Sequence, residues 1–242
     1  MKKKMISLAL VATTSLFALT SFGSCKNGED MNNRFKYTLL EDGTYEIALD
    51  TRVAGVNFLG NFVRKRVTEI VIPEEYEGKP VTSIAEGGFM FCSNLKSVEI
   101  PDTITTIGQG AFMFCGDLTS VEIPDSVTSI DIGAFMFCGD LERVVIGNSL
   151  TTISDGMFLF CMGLTTVEMS NSVSTISDGG FSGCSNLTNV YYQGTAEDWE
   201  KLKIVSGNDN LTDATRYYYS ETQPEEEGRY WHYDENGEVV IW

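Results

Sequence analysis

Apolar residues recur along the middle of this chain at a constant spacing of 23 residues. On that spacing, five consecutive segments each begin with isoleucine and carry phenylalanine, cysteine and leucine at matching positions. The columns are Ile84, Ile107, Ile130, Ile153 and Ile176; Phe89, Phe112, Phe135, Phe158 and Phe181; Cys92, Cys115, Cys138, Cys161 and Cys184; and Leu95, Leu118, Leu141, Leu164 and Leu187. Strict recurrence at this period is typical of a solenoid, in which each unit buries its apolar face only against its neighbours.

The pattern inside one unit predicts short strands joined by tight turns. Val121 and Ile123 alternate with polar residues, which is the period of a strand with one buried face. Pro124 ends that strand, and residues 128–130, rich in β-branched side chains, predict a second short strand. Gly110 has a glycine counterpart in every unit, which indicates a backbone conformation or a close contact that a side chain would prevent.

Segments on both sides of the repeats predict covers for the ends of the solenoid. Residues 37–47 contain two strand-like runs around an Asp-Gly pair, a strong hairpin signal. Residues 67–84 match the repeats irregularly and predict a first, distorted unit. Residues 196–202 predict a short helix with Thr195 as its N-cap, and the aromatic stretches that follow predict strands of a C-terminal cap.

The N-terminus has the composition of a secretory signal over residues 1–24, with a lysine-rich start, an apolar run and small residues at the end. The sequence Phe22-Gly23-Ser24-Cys25 resembles a bacterial lipobox, although Phe22 departs from the usual aliphatic residue. The resemblance implies that Cys25 becomes a lipid-modified first residue, followed by a polar tether over residues 25–34. The alternative is plain secretion with a free thiol.

Charge and cysteine spacing narrow the classes of ligand. The formal net charge is −17, and the resulting electric field repels nucleic acid and anionic membranes, so we expect membrane contact only through a lipid anchor.

The repeat cysteines stand 23 residues apart, whereas zinc sites use paired ligands such as Cys-x2-Cys. Thiols stacked in register would also point the same way, which suits a disulfide poorly. We therefore predict buried thiols that pack as small apolar groups.

The motifs IPDSVTSI, GAF and C-x-x-L-x-x-V-x-I resemble the BspA-like, or treponemal-type, leucine-rich repeats over about residues 35–242. The resemblance implies a β-rich, right-handed curved solenoid with a parallel sheet on its concave face, an N-terminal hairpin cap and a C-terminal strand and helix cap. It also implies a bacterial surface or secreted protein that adheres to host proteins or other bacteria. The predicted organisation is signal peptide 1–24, tether 25–34, N-terminal cap 35–66, repeats 67–190 and C-terminal cap 191–242.

No motif in the chain predicts catalysis or a cofactor. The one histidine, His232, lies in the aromatic C-terminal region, and no Gly-x-Ser-x-Gly, Walker or His-Glu-x-x-His sequence occurs. A carboxylate pair of the glycosidase kind stays open as an alternative, but the acidic residues recur at repeat spacing, which favours a surface ladder. A calcium site around residues 208–210 is a second alternative.

Two surfaces are predicted to meet a partner. The first is the exposed side of the strands, where alternate residues point away from the core. Its residues form two rows: Glu99, Glu122, Val145, Glu168 and Tyr191, and Ser97, Ser120, Arg143, Thr166 and Asn189. Three glutamates in one row repel one another, and a basic protein would relieve that repulsion; the alternative is a row that only keeps the protein soluble.

The second surface comes from the two residues before each cysteine. They are Met90-Phe91, Met113-Phe114, Met136-Phe137, Leu159-Phe160 and, in the last unit, Ser182-Gly183. In the family that the chain resembles, these positions are commonly small or polar. We predict an exposed apolar stripe that binds a partner or a second copy, the alternative being that both columns fold inward.

Taken together, the sequence predicts a non-enzymatic, lipid-anchored cell-surface protein that binds other proteins through its repeats. The expected ligand is a host extracellular-matrix protein or another bacterial surface protein. The alternatives are a carbohydrate-binding module that uses Tyr191 and the polar concave residues, and a structural envelope protein.

Overall fold

The structure is a computed structural model that describes residues 35–50, 55–56, 62–63 and 67–242. The segment Asn32–Trp242 forms one compact unit. The predicted signal peptide, the tether and Cys25 lie outside the described residues, as do residues 51–54, 57–61 and 64–66. Within the described part of the chain, no helix is both long and apolar enough to cross a membrane.

The described residues form short strands and two short helices. The N-terminal elements are β1 (Phe35–Leu39), β2 (Tyr45–Leu49), β3 (Gly55–Val56), β4 (Phe62–Val63), β5 (Glu69–Val71), β6 (Glu75–Tyr76), β7 (Lys79–Ile84), β8 (Ser97–Glu99), β9 (Thr106–Ile107), β10 (Ser120–Ile123) and β11 (Ser129–Ile130). They are followed by β12 (Arg143–Ile146), β13 (Thr152–Ile153), β14 (Thr166–Met169), β15 (Thr175–Ile176), β16 (Asn189–Tyr192), α1 (Ala196–Trp199), β17 (Lys203–Ile204), α2 (Asp209–Asp213), β18 (Thr215–Tyr219), β19 (Tyr230–Tyr233) and β20 (Val239–Ile241).

Equivalent strands of successive repeats pair in parallel, one repeat apart. In the main sheet, β10, β12, β14 and β16 follow one another and continue into the cap strands β18, β19 and β20. Val121 lies opposite Val144, and Val144 lies opposite Val167. The predicted alternation is confirmed in β10, where Val121 and Ile123 are buried and Ser120 and Glu122 are exposed. The short second strands also pair in parallel, in the orders β7-β9-β11 and β13-β15-β17.

The phenylalanine and cysteine columns stack through the centre of the solenoid. Neighbouring core rings lie 5.2 to 5.6 Å apart between centroids, and the five repeat cysteines are buried thiols, as predicted. The thiols also make contacts across repeat boundaries: the Sγ of Cys138 donates to the carbonyl of Phe112 over 3.3 Å, and that of Cys161 to the carbonyl of Phe135 over 3.1 Å. The thiols therefore tie each turn to the preceding one as well as filling the core.

The glycine column is needed for two reasons. Gly110 has a φ of +59°, which glycine adopts without the steric cost of a side chain. A Cβ at Gly110 would lie 3.2 Å from the Cε of Met90 and 3.3 Å from that of Met113. The methionine side chains thus cover the space that glycine leaves open.

The N-terminal cap is the predicted hairpin. β1 and β2 pair antiparallel, and β2 pairs in parallel with β7 of the first repeat. The ring of Phe35 meets that of Phe89 edge-on at 6.2 Å. The hairpin therefore covers the first member of the core phenylalanine column.

Side-chain amides terminate the repeats at the other end. In the inner repeats, the backbone N–H of Phe158 donates to the carbonyl of Gly180 in the next turn over 2.8 Å. Phe181 has no following repeat, and its N–H donates instead to the Oδ1 of Asn208 over 3.0 Å. Asn210 accepts the N–H of Gly183 in the same way over 3.1 Å. These amides are engaged with the backbone, which does not fit a calcium site there.

The predicted helix after the repeats is present as α1 but is shorter than expected. Its N-cap Thr195 and Asp198 form a capping box, and the hydrogen bond from Lys201 and those from Thr195 lower the pKa of Asp198 to about 2. The second helix, α2, was not predicted. It carries Asn208 at its N-cap position and places the amides described above.

Candidate binding surfaces

A groove of about 750 Å³ lies on the exposed side of the main strands. It is lined by Val98, Glu99, Ile100, Asp102, Glu122, Ile123, Pro124, Asp125, Ser126, Val145, Ile146, Gly147, Asn148, Gln193 and Tyr233. Strands β8, β10 and β12 and the turns after them supply most of this lining. Gln193 and Tyr233 belong to the C-terminal region and form one wall.

The carboxylates of the groove differ in how they are paired. Asp125 accepts the backbone N–H of Asn148 over 2.7 Å and its side-chain amide over 3.2 Å. Glu99 and Glu122 are exposed, and in the described part of the chain neither carboxylate takes part in a hydrogen bond or ion pair. Two adjacent repeats thus present carboxylates that no cation of the described chain neutralises.

Glu168 belongs to the same row of strand residues as Glu99 and Glu122, but unlike them it is buried. It is only 1% exposed, and it accepts Arg143 Nε–H over 2.7 Å and Tyr233 O–H over 3.3 Å. The expectation of three exposed, mutually repelling glutamates is therefore wrong at this position. The reason is the cap, since β19 brings Tyr233 over the end of the row while Arg143 neutralises the carboxylate. Burial raises the pKa of Tyr233, and the nearby charge of Glu168 adds to the effect.

Tyr191, the aromatic member of the row, is covered in a similar way. Its ring stacks on Tyr217 with centroids 5.0 Å apart and meets Trp231 edge-on at 5.7 Å. Trp231 is fully buried, and its indole N–H donates to the carbonyl of Tyr192 over 3.1 Å. One face of the Tyr191 ring is therefore covered by Tyr217, and the residue as a whole is half-buried.

The second predicted row is mostly accessible. Ser97, Ser120 and Arg143 are exposed, and Thr166 and Asn189 are half-buried. The structure thus brings Ser97, Ser120, Glu99 and Glu122 together on the open part of the face. Glu168, by contrast, is buried beneath the cap, and Tyr191 is half-buried against it.

The residues before the cysteines form a row of rings, here called the Phe ladder: Phe91, Phe114, Phe137 and Phe160. Consecutive rings are stacked, with centroids 5.0, 4.7 and 5.3 Å apart. The end rings Phe91 and Phe160 are 40% and 42% exposed, and the two inner rings are half-buried. The ladder therefore lies at the surface, as the stripe hypothesis expects, while the methionines before it cover the glycine column.

All four residues of the Phe ladder have a left-handed backbone, with φ between +59° and +63°. This conformation costs an L-residue roughly 1 to 2 kcal/mol. Stacking stabilises the fold by about 0.5 to 1.5 kcal/mol per ring pair, and partial burial stabilises it by about 1 kcal/mol or more per ring. The opposing contributions are of similar size, so the ladder adds little to folding.

Several residues of these surfaces could not be assigned from the strand pattern alone. Asp102, Gln193 and Tyr233 line the groove because a turn and the C-terminal region fold back onto it, and Val98 lines it from within β8. The left-handed backbone of the Phe ladder had one signal in the sequence, which is Gly183 at the same position of the last repeat, with a φ of +75°.

The described residues show no cluster of three His, Cys, Asp or Glu side chains that would hold a metal ion. His232 stacks on Trp242 with centroids 3.9 Å apart, and its Nδ1 lies 2.9 Å from the carbonyl oxygen of Tyr233. Its contacts are those of a packed residue of the cap.

The repeat geometry can now be compared with known proteins. The profile of the BspA type leucine rich repeat region matches residues 60–221 in six copies. The chain belongs to this family. A search of curated proteins finds no match to the sequence.

Solved structures of bacterial leucine-rich repeat proteins are similar to this chain. A leucine rich cell surface protein of Faecalibacterium prausnitzii is 25% identical with a TM-score of 0.54, over 92% of this chain and 61% of that one. A leucine-rich repeat protein of Eubacterium ventriosum is 27% identical with a TM-score of 0.50, over 66% of this chain and 40% of that one. A leucine-rich repeat protein of T. pallidum is 27% identical with a TM-score of 0.49, over 65% of this chain and 79% of that one.

These comparisons bear on the fold and on the general role of the protein. The chain spans less than two thirds of the first two of these structures, 61% of one and 40% of the other. The strand-rich, curved repeat fold is that of the bacterial family. Membership in a leucine-rich repeat family indicates a protein-interaction or surface role.

Proposed function

We propose that this protein is a non-enzymatic, lipid-anchored surface protein that binds a basic segment of another protein in its concave groove. The observation that carries the proposal is the unequal pairing of one glutamate row. Glu168 is paired with Arg143, whereas Glu99 and Glu122 stand exposed without a cation among the described residues. Cys25 supplies the anchor in this proposal.

The Arg143–Glu168 pair indicates which chemistry the open glutamates can accept. Arg143 stands one repeat before Glu168 and reaches its carboxylate at 2.6 Å through Nη2. The residue at the same relative position to Glu122 is Ser97, whose side chain is too short to make that contact. An arginine or lysine of a partner would complete the arrangement, and charged groups paired at such a surface set both specificity and association rate.

The apolar part of the groove favours a side chain with a long aliphatic stem. Val98, Ile100 and Val145 line the groove beside the two glutamates and are half-buried. Lysine and arginine pack their methylene groups on such surfaces while the charged end meets a carboxylate. A basic loop or extended segment of an extracellular-matrix protein or of another bacterial surface protein has this composition.

The first experiment is binding of residues 25–242, with Cys25→Ser, to arrays of matrix proteins and glycans at low and high salt. The fragment contains the compact unit Asn32–Trp242. We expect protein hits that weaken at least tenfold between about 50 and about 500 mM salt, because exposed charges are screened. Glu99→Gln with Glu122→Gln should weaken the same hits by a similar factor.

The matched control is Glu225→Gln with Glu226→Gln, which removes two exposed charges away from the groove. If this control weakens binding as much as the groove variant, the effect comes from net charge and the groove is not the site. Hits confined to glycans would contradict the proposal and favour a carbohydrate-binding module.

A further inference from the structure

The Phe ladder is a surface that the fold does not require. In the last repeat Gly183 takes the same left-handed turn with a φ of +75°, so the turn forms without a ring. Bulky residues rarely adopt this conformation, yet it recurs in four consecutive repeats here. Backbone strain that returns little stability persists where it positions residues for contact with a ligand or partner.

The inner rings of the ladder present their edges and not their faces. Each inner ring is covered on both faces by its neighbours, with interplanar angles of 5°, 1° and 14° along the row. At one end Phe160 lies against Gly183, where a Cβ would come within 2.5 Å of the Phe160 Cδ1. The accessible surface is therefore a set of apolar ridges about 5 Å apart, not a platform for a flat or sugar ligand.

We propose that the Phe ladder is the interface between two copies of this chain, packed ladder to ladder about a two-fold axis. A partner that fits its side chains between four successive ridges needs the same spacing over the same length, and a second copy has it. Two-fold packing of one patch on itself is the commonest form of self-association. Met162, two residues after Phe160 in the sequence, is a further exposed apolar side chain at 55%.

The size of the ladder determines the strength of this association. An end ring that is about 40% exposed offers on the order of 80 Å² and each inner ring offers less, so the whole ladder offers at most about 300 Å² per copy. Two copies would bury at most about 600 Å², below the roughly 1,200 Å² of a stable complex. The dimer is therefore weak and reversible, and it forms only at high protein concentration.

Charge gives the dimer a salt dependence opposite to that of the groove. Two copies that each carry a net charge of −17 repel one another, and salt screens that repulsion. Self-association through apolar ridges therefore strengthens as salt is added. Binding of a basic ligand to Glu99 and Glu122 weakens under the same change, so the two proposals succeed or fail separately.

The test is sedimentation equilibrium of residues 25–242 with Cys25→Ser, from about 20 to about 500 μM, at low and high salt. We expect the average mass to rise from one copy towards two, more steeply at high salt. The variant Phe114→Asn with Phe137→Asn should raise the dissociation constant at least tenfold. Its melting temperature should be unchanged or higher, because asparagine tolerates the left-handed conformation.

The matched control is Leu39→Thr with Ile241→Thr, which removes two exposed apolar residues elsewhere and should leave the dimer intact. If the asparagine variant does not fold, Phe137→Gly, which copies Gly183, replaces it. A chain that stays monomeric at every concentration, or a dimer that both ladder variants leave unchanged, overturns the proposal. A monomer whose ladder instead binds an unrelated protein overturns the choice of occupant.

Discussion

Arg143 Nε donates to Glu168 Oε1 over 2.7 Å, and this bond neutralises a carboxylate that is only 1% exposed. Removing the arginine would leave a buried charge without its partner. We expect Arg143→Met to lower the free energy of unfolding by about 3 kcal/mol, at the low end for a broken buried pair because the arginine itself is partly exposed. Urea denaturation followed by circular dichroism measures the loss.

The neighbouring repeat provides the control for that prediction. Val145 occupies the position of Glu168 one repeat earlier in the sheet. Arg143→Met combined with Glu168→Val should therefore recover most of the stability, since it replaces an unpaired charge by an apolar side chain already accepted in that row. A double variant as unstable as Arg143→Met would mean that the arginine contributes by packing and not by charge.

Substitution by alanine should have opposite effects on stability at two glycines of the repeats. A Cβ at Gly147 would lie 2.6 Å from the carbonyl oxygen of Ile123, whereas a Cβ at Gly139 would meet nothing within 4 Å. Gly147→Ala forces two backbone segments apart and should cost about 2 kcal/mol or more, like other overpacked sites. Gly139→Ala should be neutral or stabilising by about 0.5 kcal/mol. Comparable losses for both, measured by thermal unfolding, would contradict this account.

Asn208 should be the critical residue of the C-terminal cap. It accepts the N–H of Phe181 over 3.0 Å and donates to the carbonyls of Ser177 and Val205 over 2.9 and 2.8 Å. Asn208→Ala leaves these buried groups unpaired and should cost about 3 kcal/mol, whereas Asn210→Ala, which loses one such bond, should cost about 1 kcal/mol. Hydrogen exchange should show lost protection first at the Phe181 amide.

The thiol column makes stability fall at alkaline pH. Burial raises the pKa of Cys161 and Cys184 above the ordinary value of 9.0. Between that value and the folded pKa, the unfolded chain releases protons that the folded chain keeps, so each further pH unit costs about 1.4 kcal/mol per thiol. The urea midpoint should drop between about pH 8 and about pH 10. Cys161→Ala with Cys184→Ala should show a shallower drop, and an unchanged slope would contradict the assignment.

The repeat core could be read from the sequence because its determinants are local. Val121 and Ile123 alternate with polar residues within one strand, and the same short pattern returns in each unit, so period and burial follow directly. Glu168 has the same local pattern as Glu122, but its environment depends on Tyr233, which is 65 residues away in sequence. No strand periodicity contains that contact, which explains why the row was predicted as uniform.

The sequence predicted that the Phe ladder lies at the surface, but it did not predict the backbone conformation of these phenylalanines. Its surface location followed from the limited space beside Phe112 and Cys115 in the turn. Its left-handed backbone contradicts the intrinsic preference of phenylalanine and arises from the turn that all repeats share. Only the glycine at residue 183 pointed to it.

Hydrogen bonds and thiol contacts between turns reach only one repeat along the chain, so any two repeats offer the same donors and acceptors at their edges. Gly110–Leu118 and Gly133–Leu141 even share the sequence GAFMFCGDL. Unequal recombination between gene segments that encode such units would add or remove a whole turn, and the hydrogen bonds and thiol contacts at the new junction would still form. Each event would lengthen or shorten the groove by about 4.8 Å, the spacing of one strand. The reach of the binding face can therefore change within a lineage without passing through a misfolded intermediate.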